Sequence, residues 1–410
     1  MSNNKNLYVD ILVSGGGVPG LTFALLMAEL GLKIAIIDPH KPKSLEDTPL
    51  SSRTIALMNS SLNVIKAAGF SDVEELGAPL EVMRIYDDSI AGEDEQITEF
   101  EAFDIGLDQF GFNIPNDRLR AALFEQAEAH KDIHMLCPAA LYDYKIEKNK
   151  VHARLEDETE ITADLIIGAD GRGSMVRNIA GIDTRKHDYK RSALTFLINH
   201  SKSHQNVSTE FHYPSGPLAL VPLKGNQCSV VWVEKTTRAE ELTKIKKQEL
   251  EAIFQDKTHD ILGACNIEGA VQSWPLCQIK AKVLTAPHVA LIAEAAHVMS
   301  PITAQGLNLS LRDVAALAEV LSDHARSGLA LYDPIALKAY EKRRSLDLST
   351  RMGGVDAMMR LVSNDVLPIK AARRRGFKIL DNISPLKRFA MQHGLSPTLD
   401  QGRLMAGEKL

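Results

Sequence analysis

The 410-residue chain is 45% apolar and 24% charged, which excludes a disordered or fibrous protein. This length allows about two to three domains, or one large α/β core carrying an inserted layer. Lys plus Arg number 47 and Asp plus Glu 53, for a formal charge of -6, which excludes a globally basic nucleic-acid binder.

No apolar run reaches the roughly 18 residues of a transmembrane helix, and Met1–Asn6 carries no signal-peptide core. Cys137, Cys228, Cys265 and Cys277 lie far apart without a C-x-x-C pair, so reduced thiols in a cytoplasmic protein are expected. Tyr8–Val13 reads as a buried strand, and Leu21, Leu25, Leu26 and Leu30 have helical spacing, with Gly31 as the stop. Lys33–Ile37 reads as a second strand, parallel to the first through the intervening helix. Pro42–Ser52 reads as a loop, Thr54–Ala68 as a helix ending at Gly69, and about 82–112 as antiparallel strands. Arg118–Ala129 reads as a helix, 141–161 as hairpins, and Asp164–Ala169 as a buried strand. From 183 to 280 the rhythm is that of an antiparallel layer, with one charged helix near Ala239–Phe254. Val289–Ala293 reads as another buried strand and Gly306–Leu321 as a helix; from Tyr340 the chain is helical and increasingly basic.

Gly15-Gly16-Gly17-Val18-Pro19-Gly20 satisfies G-x-G-x-x-G between a strand and a helix, the context in which the motif binds a dinucleotide. Gly15 permits the turn, Gly17 the approach of a pyrophosphate, and Gly20 close helix–strand packing. Asp38, at the end of the second strand, has the spacing of a ribose acceptor. The loop alone does not choose between NAD and FAD. Two further segments repeat its logic: a strand delivers Asp170 into Gly171-Arg172-Gly173-Ser174-Met175-Val176-Arg177, and another delivers Glu294 towards His297, Pro301, Gln305, Gly306, Leu307, Asn308 and Asp313.

With Ser52-Arg53-Thr54-Ile55-Ala56-Leu57 and Pro385-Leu386-Lys387-Arg388, these segments resemble the FAD-dependent aromatic hydroxylases of the para-hydroxybenzoate hydroxylase fold, and most closely the ubiquinone-biosynthesis hydroxylase family. The resemblance covers nearly the whole chain. It implies an α/β fold: a Rossmann-like FAD-binding domain (1–74, 113–182, 281–345), an antiparallel-sheet substrate domain (75–112, 183–280) and a C-terminal helical, basic segment (346–410). It further implies that Gly15, Gly17, Val18, Pro19, Gly20, Asp38, Arg53, Asn116, Asp170, Glu294, Gly306, Leu307 and Asn308 hold FAD, with Arg53 at the pyrophosphate and Glu294 near the ribityl hydroxyls. Pro301, Gln305, Gly306, Leu307 and Asn308 would surround the ring; a helix N-terminus there stabilises the anionic reduced flavin. No protein nucleophile is required, and no metal is expected.

The implied activity is NAD(P)H- and O2-dependent hydroxylation of a polyprenylated phenol or benzoquinol precursor of ubiquinone, through a C4a-hydroperoxyflavin. The alternatives are an FAD-dependent dehydrogenase or reductase without oxygen transfer, and a non-catalytic flavoprotein subunit of a ubiquinone-synthesis assembly. This chain departs from the family at Ala293-Glu294, where Gly-Asp is usual, and at Ser14, Ala304 and Ser310, where glycine is common. His297 reads as a structural histidine bonded to the turn before Pro301, and His200, His204 and His212 as solvated residues. Lys370, Arg373, Arg374, Arg375, Lys378, Lys387 and Arg388 interleave with Ile379, Ile383, Leu386 and Phe389. This is the composition of a packed helix pair with a basic face, or of a peripheral contact with the inner face of an anionic membrane or a partner there; nucleic-acid binding is not expected.

Overall fold

A computed structural model describes residues 6–87, 96–300, 305–362, 372, 375, 376, 378, 379, 382–395 and 401–410. Pro301 of the expected ring environment, Ala304 where the family commonly has glycine, and Lys370, Arg373 and Arg374 of the basic tail lie outside the described residues.

The cofactor-side sheet runs in the order Thr285–Ala286, Val289–Leu291, Leu165–Gly168, Ile11–Ser14, Ile34–Ile37, Ile133–Leu136. Its last five strands are mutually parallel, and the first is an antiparallel edge. The parallel strands are apolar and mostly buried, because helices cover the sheet. Helix α1 (Val18–Ala28) follows the first of these strands, and its buried Leu21, Leu25 and Leu26 fill the core beneath it. The expected single strand Tyr8–Val13 is broken. Asn6–Tyr8 joins a small sheet with 141–163, and Ile11–Ser14 enters the parallel sheet. The break is at Asp10, whose carboxylate accepts the Lys33 N–H at 2.7 Å.

A second correction concerns Thr54–Ala68. Thr54–Met58 is a strand, and α2 spans only Asn59–Ala67. The strand pairs with Gly111–Pro115, which pairs in turn with Ala78–Leu80; ladder bonding to distant chain outweighs the local helix-like pattern. Pro115 then ends its strand directly at α3 (Asn116–Ala129), and a short α4 (Met175–Ile179) follows Ser174, whose hydroxyl accepts the Arg177 N–H.

The eight-stranded sheet is ordered His297–Val298, Cys265–Ala281, Thr184–His200, Gln227–Lys235, Gly216–Leu223, Val207–Tyr213, Val82–Asp87, Gln96–Glu101. Along Thr184–His200, Leu194, Phe196 and Ile198 point to a separate apolar core with Phe211, Trp232 and Phe254, while Thr195 faces the other way. The charged helix expected at Ala239–Phe254 is two helices, α5 (Thr236–Leu242) and α6 (Lys247–Lys257), interrupted at the polar Thr243–Lys246. Ala239, Leu242, Leu250 and Phe254 are their buried contacts. The long α7 (Gly306–Arg326) packs on α1, and α8 (Pro334–Val362) packs on α7. Helix α9 (Ser384–Leu395) rests Met391 on Ala102 and Phe110.

Candidate active site

All the chain reversals that carry motifs leave the parallel sheet at its carboxyl edge. The Gly15 N–H donates to Ile37 O (2.8 Å), Ala169 N–H to Ser14 O (2.8 Å), and Ile292 N–H to Gly168 O (3.0 Å). Gly15–Gly20, Asp170–Ser174 and Ala293–Glu294 are thereby gathered at one rim, where open α/β sheets bind ligands.

The glycines of the first loop have separable causes. Gly15 has φ +115°, and a Cβ there would lie 2.2 Å from Ala169 O; at Gly20 it would lie 2.0 Å from Gly15 O. These two are demanded by the protein itself. Gly17 is not: its φ of -79° suits any residue, and an added Cβ would meet only Pro19 Cδ, at 3.8 Å. Gly17 caps α1, with Val18 buried and Pro19 half-buried in the first turn, so the N-terminal peptide N–H groups open onto a cradle that a side chain would fill. Gly306, first residue of α7, is open in the same way, with nothing among the described residues within 4 Å of an added Cβ. Two glycine-faced helix N-termini have the donor chemistry for a phosphate at one end and an anionic ring at the other. The residues present therefore fit FAD.

Asp38 accepts the Gly16 N–H (2.7 Å) through one oxygen and the His40 N–H (2.8 Å) through the other. Arg120, on α3, was not anticipated. It donates to Gly16 O (2.8 Å), to Asp38 Oδ1 (3.1 Å) and to His40 O, tying the loop to the acid. Its helical spacing from Asn116 placed it on the cofactor side of α3, but Asp38 is 82 positions away.

Asn116 opens α3 half-buried. Its backbone N–H donates to Arg53 O (2.9 Å), and among the described residues its side chain makes only a 3.5 Å contact with Asp117. The exposed Arg53 guanidinium stacks over Trp274 at 5.2 Å. Asp170 Oδ2 caps α4 through Met175 N (2.7 Å) and Val176 N (3.1 Å), while its buried Oδ1 has no partner among the described residues. Glu294 does not point inward: it is half-exposed and pairs with Arg172 at 3.2 Å, because Ala293 turns left-handed (φ +56°) and ends the strand at Leu291 rather than at the expected Ala293.

At the ring end, Asn308 is buried. Its Oδ1 accepts Met58 N–H (3.0 Å) and its Nδ2 donates to Ala56 O (2.8 Å), stitching α7 to the strand that follows Arg53. Leu307 packs on the main core, and Gln305 caps α7. Above them the roof sheet is tied down by Thr54 Oγ1 to Ser229 Oγ (2.6 Å) and by Asn113 Nδ2 to Pro222 O (2.9 Å), and within the roof Trp274 Nε1 donates to Thr195 Oγ1 (3.1 Å). His297 is structural, but its partner is Asp313 (2.6 Å) rather than a turn. His200 and His212 are buried, not solvated; His200 bonds Lys202 O and His212 bonds Glu210.

A parallel sheet with this rim and an antiparallel roof defines an FAD-binding protein of the monooxygenase type. The family model described as FAD binding domain matches residues 8–347. The chain belongs to that family, on the branch of the ubiquinone hydroxylases. Ubiquinone hydroxylase UbiL of Rhodospirillum rubrum is 31% identical over 426 aligned residues, covering 100% of this chain and 95% of the relative. The 3-demethoxyubiquinol 3-hydroxylase of Escherichia coli is 28% identical, covering 95% and 99%. Among solved structures, PqsL of Pseudomonas aeruginosa, a probable FAD-dependent monooxygenase, superposes with a TM-score of 0.76 at 21% identity, covering 91% and 100%.

Proposed function

We propose that this chain is an FAD-dependent monooxygenase that hydroxylates the aromatic ring of a polyprenylated phenol or benzoquinol in ubiquinone biosynthesis, using NAD(P)H and O2. The observation that carries the reading is the convergence of three motif loops on one rim beneath the roof sheet, in a chain that matches ubiquinone hydroxylases along its full length. In this reading 1–74, 113–182 and 281–345 form the FAD-binding part, and 75–112 with 183–280 the substrate part.

FAD supplies the oxygen chemistry; the chain's residues bind, orient and shield. The α1 N-terminus at Gly17 holds the pyrophosphate, and Asp38 accepts from the adenosine ribose. The α7 N-terminus at Gly306–Asn308 stabilises negative charge on the pyrimidine side of the ring. The roof, with Thr195, Ser229 and Trp274 on its inner side, excludes water from the reacting centre. Arg53 would leave the Trp274 face to bind a phosphate oxygen, for which its fork is suited. Glu294 reaches the ribityl hydroxyls only by leaving Arg172.

Among the described residues no helix is long and apolar enough to cross a membrane. A peripheral contact with the inner face of an anionic membrane, or with a ubiquinone-synthesis assembly there, is supported by α9. It presents Leu386 and Phe389 to solvent beside Lys387 and Arg388, with exposed Ile383 just before it and the 84%-exposed Phe103 nearby on the turn that α9 packs against.

The test is turnover of a short-chain polyprenylphenol with NAD(P)H under oxygen-18 gas. The reading predicts one labelled oxygen in the product. NAD(P)H oxidation without label would identify a reductase, and failure of the folded protein to take up FAD a non-catalytic subunit.

A further inference from the structure

Helix α8 lies outside the motif segments, yet one stripe of it carries Tyr340, Arg344, Asp347 and Arg351 at spacings of four, three and four, which share a helix face. Tyr340, Arg344 and Arg351 each reach the chain between Leu291 and Gln305, directly or through one buried carboxylate, and Asp347 links the two arginines. Tyr340 Oη donates to Leu291 O (2.8 Å). Arg344 Nε donates to Asp313 Oδ1 (2.7 Å), and the other oxygen of Asp313 accepts both Ala293 N–H (2.9 Å) and His297 Nε2 (2.6 Å). Arg344 also pairs with Asp347 (2.5 Å), Asp347 with Arg351 Nε (2.8 Å), and Arg351 Nη1 donates to Gln305 Oε1 (3.3 Å). The contacts follow chain order along both partners, from the end of the strand, through the left-handed Ala293, to the cap of α7.

The Ala293 turn explains why such a brace is present. A non-glycine residue at φ +56° costs on the order of 1 kcal/mol and persists only where its surroundings over-determine it. Asp313, fully buried, supplies that constraint, and Arg344 supplies its counter-charge. Among the described residues, Arg312, Arg344 and Arg351 face Asp313 and Asp347 in this cluster. Burial and the neighbouring Arg351 depress the Arg312 guanidinium to about 10, against the pull of Asp347.

We infer that the α8 stripe is a positioning device for the flavin: it fixes both ends of the 291–305 segment, and Arg351, through Gln305, sets the α7 N-terminus against the ring. The inference rests on the proposed placement of the ring at Gly306–Asn308. It assigns Arg351 a role through Gln305, as a positioning residue rather than a catalytic one.

The test is FAD titration of the full-length apoprotein, followed by flavin fluorescence, together with the midpoint potential of the bound flavin. Arg351→Ala and Gln305→Leu are expected to weaken FAD binding about five- to tenfold, because the lost Arg351–Gln305 bond reaches the flavin only through the α7 N-terminus. Arg351→Ala should also move the potential to more negative values, because the α7 N-terminus it positions then stabilises the anionic reduced ring less well. Arg351→Lys keeps the charge but not the planar fork, and should keep the potential while losing part of the affinity. If Arg351→Ala does not fold, Gln305→Leu and Arg351→Lys carry the test. Folded variants with wild-type affinity and potential would overturn the inference. Gly17→Ala in the same titration separates the two readings: if it too binds FAD normally, the cofactor site itself is misplaced, and the stripe's role falls with it.

Discussion

Substituting Gly17 and Gly20 one at a time separates what the cofactor requires from what the fold requires. At Gly20 an added methyl would sit 2.0 Å from Gly15 O and 3.4 Å from Ala169 Cβ, so backbone must move; overpacking of this kind costs about 1–3 kcal/mol. Gly20→Ala should therefore lower apoprotein stability and FAD affinity together. At Gly17 the nearest atom is 3.8 Å away and φ is -79°, so nothing in the protein resists alanine. Reduced unfolded-state entropy favours the variant by about 0.4–1 kcal/mol, and the poorer N-cap costs a similar amount, leaving apoprotein stability within about 0.5 kcal/mol. The same methyl blocks the approach of a pyrophosphate. Loss of one charge-assisted contact, worth about 1.5–3 kcal/mol, corresponds to roughly 10- to 100-fold weaker FAD binding. Denaturant melts of the apoproteins and fluorescence titration with FAD give both numbers. A Gly17→Ala protein that binds FAD as tightly as wild type would refute the placement of the pyrophosphate.

Arg120→Ala, which frees the Gly16 carbonyl and Asp38 together, should weaken FAD about tenfold without slowing reduction of the flavin that remains bound, as read by stopped-flow absorbance under anaerobic NAD(P)H. Burial pushes the Asp313 carboxyl up, but His297 and Arg344 outweigh it and hold the group below its usual range; Asp347 is lowered by Arg344 in the same way. A depressed carboxylate stabilises the fold fully above its unfolded pKa, near 3.9, and the contribution disappears as pH falls through the lower folded value. Thermal melts should thus lose stability below about pH 4, and Asp313→Asn should flatten that dependence while lowering stability at neutral pH by about 3–5 kcal/mol. Replacing Leu386 and Phe389 with Ser should reduce sedimentation with anionic vesicles and leave FAD affinity unchanged; equal sedimentation of both proteins at low and high salt would remove α9 from membrane contact.

The cofactor loop was legible because its signal is local. Strand, glycines, helix and Asp38 all fall within 38 residues, and Gly31 marks the helix end with φ +79° as its position suggests. Thr54–Met58 was not legible, since Ile-Ala-Leu-Met serves a helix or a strand equally and the deciding partner, Gly111–Pro115, is more than 50 residues on. The split at Thr243–Lys246 carried no glycine or proline to mark it. Arg120, and the bracing role of Asp313 within its motif, were not legible for one reason: each acts on atoms that only the fold brings near. The 340–344–347–351 spacing on a basic helix was the available sign of a polar stripe facing inward. The expectation for Glu294 followed from position alone, and position does not reveal that Arg172 is within reach.

The most direct test of the account is the crystal structure of the FAD-loaded protein. It predicts the pyrophosphate against Gly17 and the α1 N-terminus, the adenosine ribose on Asp38, and the isoalloxazine beside Gly306–Asn308 under the Thr195–Trp274 face of the roof. A flavin bound with its ring away from α7, or a nicotinamide dinucleotide occupying the rim in its place, would contradict it.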